Sequence, residues 1–398
     1  MFIKEDFPML KNNITYFDSA ATTLKPKCVI DSIVDYYSNY SANHNRGDYD
    51  ISLKVDNKIN ETRCLVKDFI NAKSEKEIIF TSGTTESLNM VIKSFFKGYL
   101  SDGDEVLTTK AEHASMLLPW YELKKEKDIK IDYIDLNSDT SFNIDNLKKK
   151  INDKTKVISL SHVTNVLGDI RDIEEITKIA HENNILVLVD AAQSAPHMKV
   201  DVQKLDVDFM CFSAHKMLGP TGVGVLYGKE FLLEKMNPFI TGGGMNDFFD
   251  SLGNTEYKDL PYKLEAGTPN IAGIIGFGGA IKYINEIGID NIYNHELELK
   301  KYMIDKLSKI KGITIYNKEF KNGIVTFNKE GLFAQDVAAY LNKKGICVRV
   351  GSHCAKILSE VLGVKNTIRV SMYVYNTKED IDKLVDALDN DNILYESL

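Results

Sequence analysis

Short apolar runs separated by amphipathic stretches fill most of the first 230 residues. Ile78–Phe80, Glu105–Leu107, Val157–Ser161, Ile185–Val189, Phe209–Phe212 and Gly224–Tyr227 read as strands. Helical periodicity lies between several of them, at Glu86–Phe96, at Ile170–Asn183 and over a shorter stretch after Asp190. Strands that are apolar almost throughout, alternating with helices, predict a parallel sheet covered on both faces. Such sheets place ligands at the C-terminal ends of their strands.

The pattern changes near Gly242–Gly244 and again at Pro261–Pro269. Beyond these loops a long helical pattern runs from Ile271 to about Ile310, broken near Gly288. Short strands follow at Ile313–Tyr316, Gly323–Phe327 and Ile346–Val350, with helices at Ala334–Lys344 and Lys378–Leu388. This predicts a smaller α+β domain. No internal repeat or low-complexity tract is evident.

Composition narrows the function classes. Of 398 residues, 43% are hydrophobic and 27% charged, which excludes wholesale disorder. The formal net charge of −8 is the reverse of a nucleic-acid binder's balance. The basic runs Lys124-Lys125 and Lys148-Lys149-Lys150 read as solvated helix faces. The five cysteines form no CxxC pair, so neither a disulfide framework nor a bound metal is expected. The opening MFIKEDFPML lacks the apolar core of a secretory signal, and no apolar run approaches a membrane span. A cytoplasmic protein without a membrane partner is the expectation.

Four local features carry chemistry. The strand Ile185–Val189 runs into Asp190, and a carboxylate at a buried strand end needs a compensating partner, unless it simply caps the next helix. About two dozen residues later, Ser213-Ala-His-Lys216 meets the Gly-rich turn Gly219-Pro-Thr-Gly222. A lysine crowded there has the setting for a lowered pKa and Schiff-base chemistry, although most such lysines are surface residues. Thr81-Ser-Gly-Thr-Thr-Glu86 follows a strand and opens a helix, which suits either a phosphate or a capping box. His113 lies in Lys110-Ala-Glu-His-Ala-Ser115, and a loop histidine is ordinarily just a partly buried imidazole.

Taken together, these features resemble the fold-type I enzymes that use pyridoxal 5′-phosphate (PLP), class V. The likeness extends through Ser161–Gly168, Asp190-Ala-Ala-Gln193, Phe212–Lys216, Gly219–Gly222, Glu265-Ala-Gly-Thr-Pro-Asn270 and Arg349-Val-Gly-Ser-His-Cys354, from about Tyr16 to Asp386. These blocks are similar to the SufS-like cysteine desulfurases and selenocysteine lyases. The resemblance implies an α/β fold: a large domain over residues 18–262 with a mostly parallel, seven-stranded type of sheet, and a small domain from residues 1–17 and 263–398. It implies that Lys216 binds PLP and moves protons, Asp190 pairs with the pyridine nitrogen, and His113 stacks on the ring. Gln193 and Asn165 attend the phenolic oxygen, with Asn165 also near the substrate. Thr84, Thr85, Ser213 and His215 hold the phosphate, joined by Thr268 from the second subunit of a homodimer. Arg369 forks onto the substrate carboxylate, Arg349 sits at the pocket mouth, and Cys354 takes sulfur from L-cysteine as a persulfide, releasing alanine.

Cys211 and Cys347, in apolar strands, fit the ordinary buried cysteine. Cys354 does not: it follows His353 and precedes Lys356, and nearby positive charge favours thiolate. Gly351-Ser352-His353-Cys354 replaces the family's more usual G-H-H-C, and His44-Asn45-Arg46-Gly47 departs from its H-R-G pattern, so His44 is given no role. The short span between Arg349 and Arg369 matches the SufS-like loop. Gln335 stands before Asp336 where members that deliver sulfur to a zinc-bearing SufU-like acceptor tend to carry histidine, so a SufE-like acceptor is at least as well supported. Sulfur supply for iron–sulfur cluster assembly is the implied role. The alternatives are a selenocysteine lyase acting on L-selenocysteine, another class V lyase, or an aminotransferase of serine–glyoxylate type. The aminotransferase has no use for Cys354, and a ligand-binding scaffold has no need of Lys216, Asp190, His113 and Arg369 together.

Overall fold

The computed structural model describes residues 4–45, 47–390 and 392–397; Arg46, in the run after His44, lies outside them. Seven strands form the large sheet, in the order Ile78–Thr81, Gly224–Gly228, Phe209–Ser213, Leu186–Asp190, Thr155–Ser161, Glu105–Thr108, Lys130–Tyr133. The pairings are parallel except around Gly224–Gly228, which runs antiparallel to both neighbours. It returns directly from Phe209–Ser213 through the loop carrying Lys216, and so short a connection cannot make a parallel crossover.

The six strands expected from apolar runs are present with shifts of one or two residues. The stretch after Asp190 is a series of turns, with a helix only at Val202–Leu205. Lys130–Tyr133, an edge strand with no fully buried residue, carries no apolar run and was not anticipated. The helices Lys27–Asn39 and Asp50–Phe69 were also not anticipated, whereas the basic runs Lys124-Lys125 and Lys148-Lys149-Lys150 lie on helices as read, in Ala114–Glu126 and Ile144–Lys150. The first two pack against Ile271–Ile287, an almost wholly apolar helix that joins the large-sheet core.

Ile271–Ile287 and Ile289–Leu307 meet at Gly288, as the helical pattern predicts. Beyond them an antiparallel sheet has the order Ile313–Ile315, Ile324–Lys329, Thr367–Ser371, Arg349–Gly351. The expected single strand Ile346–Val350 is divided. Ile346–Cys347 pairs with Thr15–Tyr16, and Arg349–Gly351 pairs with Thr367–Ser371. A separate core holds Phe17 with Leu299, Met303, Phe327, Leu341, Ile368 and Leu384.

Candidate active site

Asp190 ends one strand of the large sheet and Lys216 follows the adjacent strand Phe209–Ser213, so the sheet itself brings their side chains to one end. Both line a cavity of about 180 Å³ together with Thr84, Thr85, His113, Asn165, Gln193, Ser213, His215, Arg349 and Arg369. Eleven of the thirteen residues expected at the site therefore share one cavity; Thr268 and Cys354 lie outside its lining.

Asp190 accepts a hydrogen bond from the Ala192 N–H (2.9 Å), and burial holds its carboxyl above the usual range despite nearby Lys216. Burial pushes Lys216 down to about 8, opposed by the Asp190 charge. A lysine so placed has about a tenth of its amine unprotonated at pH 7, against well under a thousandth for a free one.

The phosphate-type turn is built by close backbone approach. Thr81 pairs with Gly224, and a Cβ on Gly224 would lie 2.4 Å from Gly83 Cα. This closeness lets the Thr84 N–H reach Ser213 Oγ (2.8 Å), and the Thr84 hydroxyl shares a 2.6 Å hydrogen bond with the same oxygen. Thr85 and Ser115 hydroxyls are paired at 2.7 Å. The free N–H groups at this helix start favour an anion.

His113 caps the helix Ala114–Glu126, its Nδ1 accepting from the Ser115 N–H at 3.1 Å. Burial, with Lys216 and the two arginines, pushes it down to about 4. The ring is therefore neutral, and its proton sits on Nε2. Immediately before it, Glu112 is fully buried against Arg171 and the Ser161 N–H (2.7 Å), a network the sequence reading missed.

Arg349 and Arg369 are register partners on neighbouring antiparallel strands. Like charges placed opposite one another are unfavourable in a sheet unless an anion joins them. Arg369 is 1% exposed; Nη1 donates to the Asn165 carbonyl (2.8 Å) and Nη2 to Asp18 (3.2 Å), while Nε has no partner. Asn165 also donates from Nδ2 to the His353 carbonyl at 2.7 Å, so one residue braces both Arg369 and the cysteine loop.

Cys354 is exposed at the rim, its carbonyl accepting from the Ala114 N–H (2.8 Å). His353 and Cys354 both have left-handed backbone, at φ 52° and 60°. Such conformations persist at non-glycine residues only where surroundings impose them. The cation beside the thiol is Arg349, with Nη2 3.8 Å from Sγ. His353 does not supply positive charge as the sequence suggested: its Nε2 bonds Thr367, and burial pushes it down to about 3.

Thr268 is exposed beside a second cavity with Ser82, Glu86 and Gly222. Its loop is anchored by Glu265, which takes both Nη atoms of Arg63 (2.7 and 2.9 Å) and the Phe80 N–H. No group of metal ligands occurs among the described residues.

The chain is similar to known proteins over nearly its whole length. A family model described as aminotransferase class-V matches residues 15–384. The chain belongs to this family. A protein of Halalkalibacterium halodurans named probable cysteine desulfurase is 46% identical over 392 residues, covering 97% of this chain and 96% of that one. One from Staphylococcus epidermidis with the same name is 45% identical, covering 96% and 94%. The solved cysteine desulfurase of Thermococcus onnurineus superposes with a TM-score of 0.94 at 38% identity, covering 97% and 96%. The cysteine desulfurase CsdA of Escherichia coli, in its S-sulfonic acid form, gives 0.92 at 36%, with the same coverage. Within class V, the chain is thus a PLP-dependent enzyme of the cysteine desulfurase group.

Proposed function

We propose that this enzyme converts L-cysteine to L-alanine and holds the removed sulfur as a persulfide on Cys354. The observation that carries the reading is the position of the Cys354 thiol. It lies at the rim of a cavity holding Lys216 and Asp190, beside the arginine pair Arg349 and Arg369.

The residues present fit PLP. Asn165 Oδ1 and Gln193 Oε1 are buried atoms without a hydrogen-bond partner among the described residues, and both side chains line the cavity. Lys216 would bind the cofactor covalently, Asp190 would hold its ring nitrogen, and His113 its ring. Asn165 and Gln193 would attend its phenolic oxygen, and Thr84, Thr85, Ser213 and His215 its phosphate. Thr268 would complete the phosphate site of a second subunit, making the enzyme a homodimer. When bound, PLP supplies an electron sink for charge developing at the substrate's Cα.

The chain supplies the rest. Arg369 presents its unpartnered Nε to the substrate carboxylate, a planar donor for a planar anion. The Lys216 amine takes up and returns the proton at the substrate's Cα. His113, neutral with Nδ1 engaged, donates from Nε2. The Cys354 Sγ forms an S–S bond to the substrate sulfur as the substrate's Cβ–S bond breaks. That bonding pair stays with the alanine skeleton, which then gains a proton. L-Selenocysteine meets the same groups. We assign the enzyme to the cytoplasm, where thiols remain reduced, with a SufE-like or SufU-like protein accepting the sulfur for iron–sulfur cluster assembly.

The test is product and mass together. L-Cysteine with a reductant yields alanine and sulfide in equal amounts, and without reductant or acceptor one sulfur atom accumulates per subunit on the Cys354 peptide. Sulfur mapping to Cys28, Cys64, Cys211 or Cys347 refutes the assignment.

A further inference from the structure

The peptide carbonyl just before Lys216 is held from an unexpected direction. His215 O accepts four hydrogen bonds from one short segment: the Thr23 N–H and Lys25 Nζ at 2.9 Å, and the Thr22 and Thr23 hydroxyls at 3.1 Å. On the other side of Lys216, the Leu218 N–H donates to Thr23 Oγ1 at 2.9 Å. Thr23 therefore brackets the lysine, touching the residues one before and two after it.

This turn needs holding. Leu218 has φ 64°, a left-handed conformation that a branched, non-glycine residue adopts only when its surroundings impose it. A carbonyl has two lone pairs, so four donors exceed what ordinary turn geometry asks of it. The segment itself is fixed at both ends. The Tyr16 hydroxyl donates to Thr22 O (2.8 Å), and the Leu24 N–H donates to the Tyr375 hydroxyl (3.3 Å). Pro26 follows Lys25 and disfavours helical backbone there, so the helix Lys27–Asn39 starts only after the lysine. Lys25 Nζ also donates to Thr23 O at 2.6 Å, closing the strap on itself. Immediately before Thr22, Ala20 and Ala21 line the active-site cavity.

We propose that Lys25, with Thr23, is a positioning residue that fixes the Lys216 amine for proton transfer. The proposal rests on the assignment of Lys216 as the cofactor-binding amine. Lys25 touches neither substrate nor cavity; it acts through the His215–Lys216 peptide. Burial pushes Lys25 down to about 7, so the bracing rests on Nζ–H hydrogen bonding rather than on charge; losing the amine removes one donor from the carbonyl and lets the turn relax. A misplacement of about 1 Å at a proton-transfer group costs up to about 100-fold in rate. Arg369, the proposed carboxylate-binding group, bonds Asn165 and Asp18 and makes no hydrogen bond to Lys25 or Thr23, so substrate binding stays as it is.

The experiment compares the wild-type holoenzyme with Lys25→Met, Lys25→Arg and Thr23→Val. In Lys25→Met and Thr23→Val, kcat for alanine formation falls about 10- to 100-fold. The dissociation constant for the product L-alanine, read from the visible spectrum, stays within about twofold, and Lys25→Arg recovers most of kcat. A second readout needs no turnover: PLP added to the apo-enzyme restores the visible band about tenfold more slowly in Lys25→Met, because attack requires a placed amine. Equal kcat in all four enzymes overturns the proposal. So does a parallel loss of kcat and alanine affinity, which marks general disruption, or a Thr23→Val enzyme that behaves as wild type. If the wild type itself gains no visible band, the cofactor assignment fails, and the Lys25 proposal falls with it.

Discussion

Replacing Arg171 by leucine is expected to destabilise the enzyme severely, because it strands the Glu112 charge, buried against the cavity-lining Ser161. Arg171 and Glu112 both have 0% side-chain exposure. Glu112 takes a hydrogen bond from Arg171 Nη1, another from the Thr109 hydroxyl (2.6 Å), and one from the Ser161 N–H (2.7 Å). Arg171 in turn donates to Thr109 Oγ1 (2.9 Å) and to the Ser161 carbonyl (3.1 Å). Arg171→Leu leaves the carboxylate with one hydroxyl and one amide, and no cation in contact. Breaking a buried pair from one side costs about 3–5 kcal/mol, a large share of the roughly 5–15 kcal/mol that holds a typical domain folded. Glu112→Gln keeps the shape and an acceptor oxygen, yet strands the guanidinium, with only Asp169 remaining 3.8 Å from Nε. The double variant Glu112→Leu/Arg171→Leu removes both charges and should be at least about 1 kcal/mol less damaged than the two Leu singles added together. Urea unfolding at fixed, saturating PLP measures this, since bound ligand shifts the midpoint. The single tryptophan, Trp120, is buried in the helix that begins beside Glu112 and reports the transition. An Arg171→Leu enzyme within about 1 kcal/mol of wild type, or a double variant as unstable as the summed singles, refutes the reasoning.

Cys354→Ala should keep the visible cofactor band and a spectral change on adding L-cysteine, yet form no alanine beyond a trace; full desulfurase activity in this variant would sink the persulfide mechanism. L-Selenocysteine should be less sensitive to the same change, because selenolate is the better leaving group. The rate at which PLP reloads the apo-enzyme should rise as pH climbs through about 8, the value to which burial lowers Lys216, since the unprotonated amine attacks; a midpoint near the ordinary lysine value excludes this environment. Gly224→Ala would place a Cβ 2.4 Å from Gly83 Cα, and should cost about 1–3 kcal/mol and speed PLP release, both read by urea midpoint and by dialysis.

The large sheet and its chemistry were legible for one physical reason. Strands buried on both faces read as apolar runs, and the charged residue ending such a run stands out: Asp190 after Leu186–Val189, and Lys216 just past Phe209–Phe212. What escaped is what has no period. Lys130–Tyr133 is a half-exposed edge strand, and Asp50–Phe69 carries many charged residues on its exposed face. The Glu112–Arg171 pair joins residues 59 apart, and Thr23 and Lys25 reach His215 across some 190. Such contacts exist only once the fold is formed. Arg349 and Arg369 were assigned from motif likeness, but their direct pairing depends on a strand register that spacing alone does not give. The charge next to Cys354 was misattributed to His353 because adjacency in sequence was read as adjacency in space; the imidazole turns inward to Thr367 instead.

The histidines of the site share an electrostatic logic. His113 and His215 are pushed down to about 4 and His353 to about 3, each mainly by burial and then by nearby lysine or arginine. None carries charge at neutral pH, so the positive field comes from Arg349, Arg369 and any protonated Lys216. That division has a consequence for catalysis. A site relying on imidazolium to bind a carboxylate or a phosphate would lose affinity as pH rose through about 6.5, the unperturbed histidine value. On the proposed reading the substrate carboxylate meets the Arg369 guanidinium, lowered by burial only to about 10 and so still charged across that range, while the imidazoles would serve as neutral donors and stacking surfaces. Arg349 stands opposite Arg369 in register and 3.8 Å from the Cys354 thiol, so on the proposed reading the charge that would draw substrate inward would also face the sulfur to be passed outward.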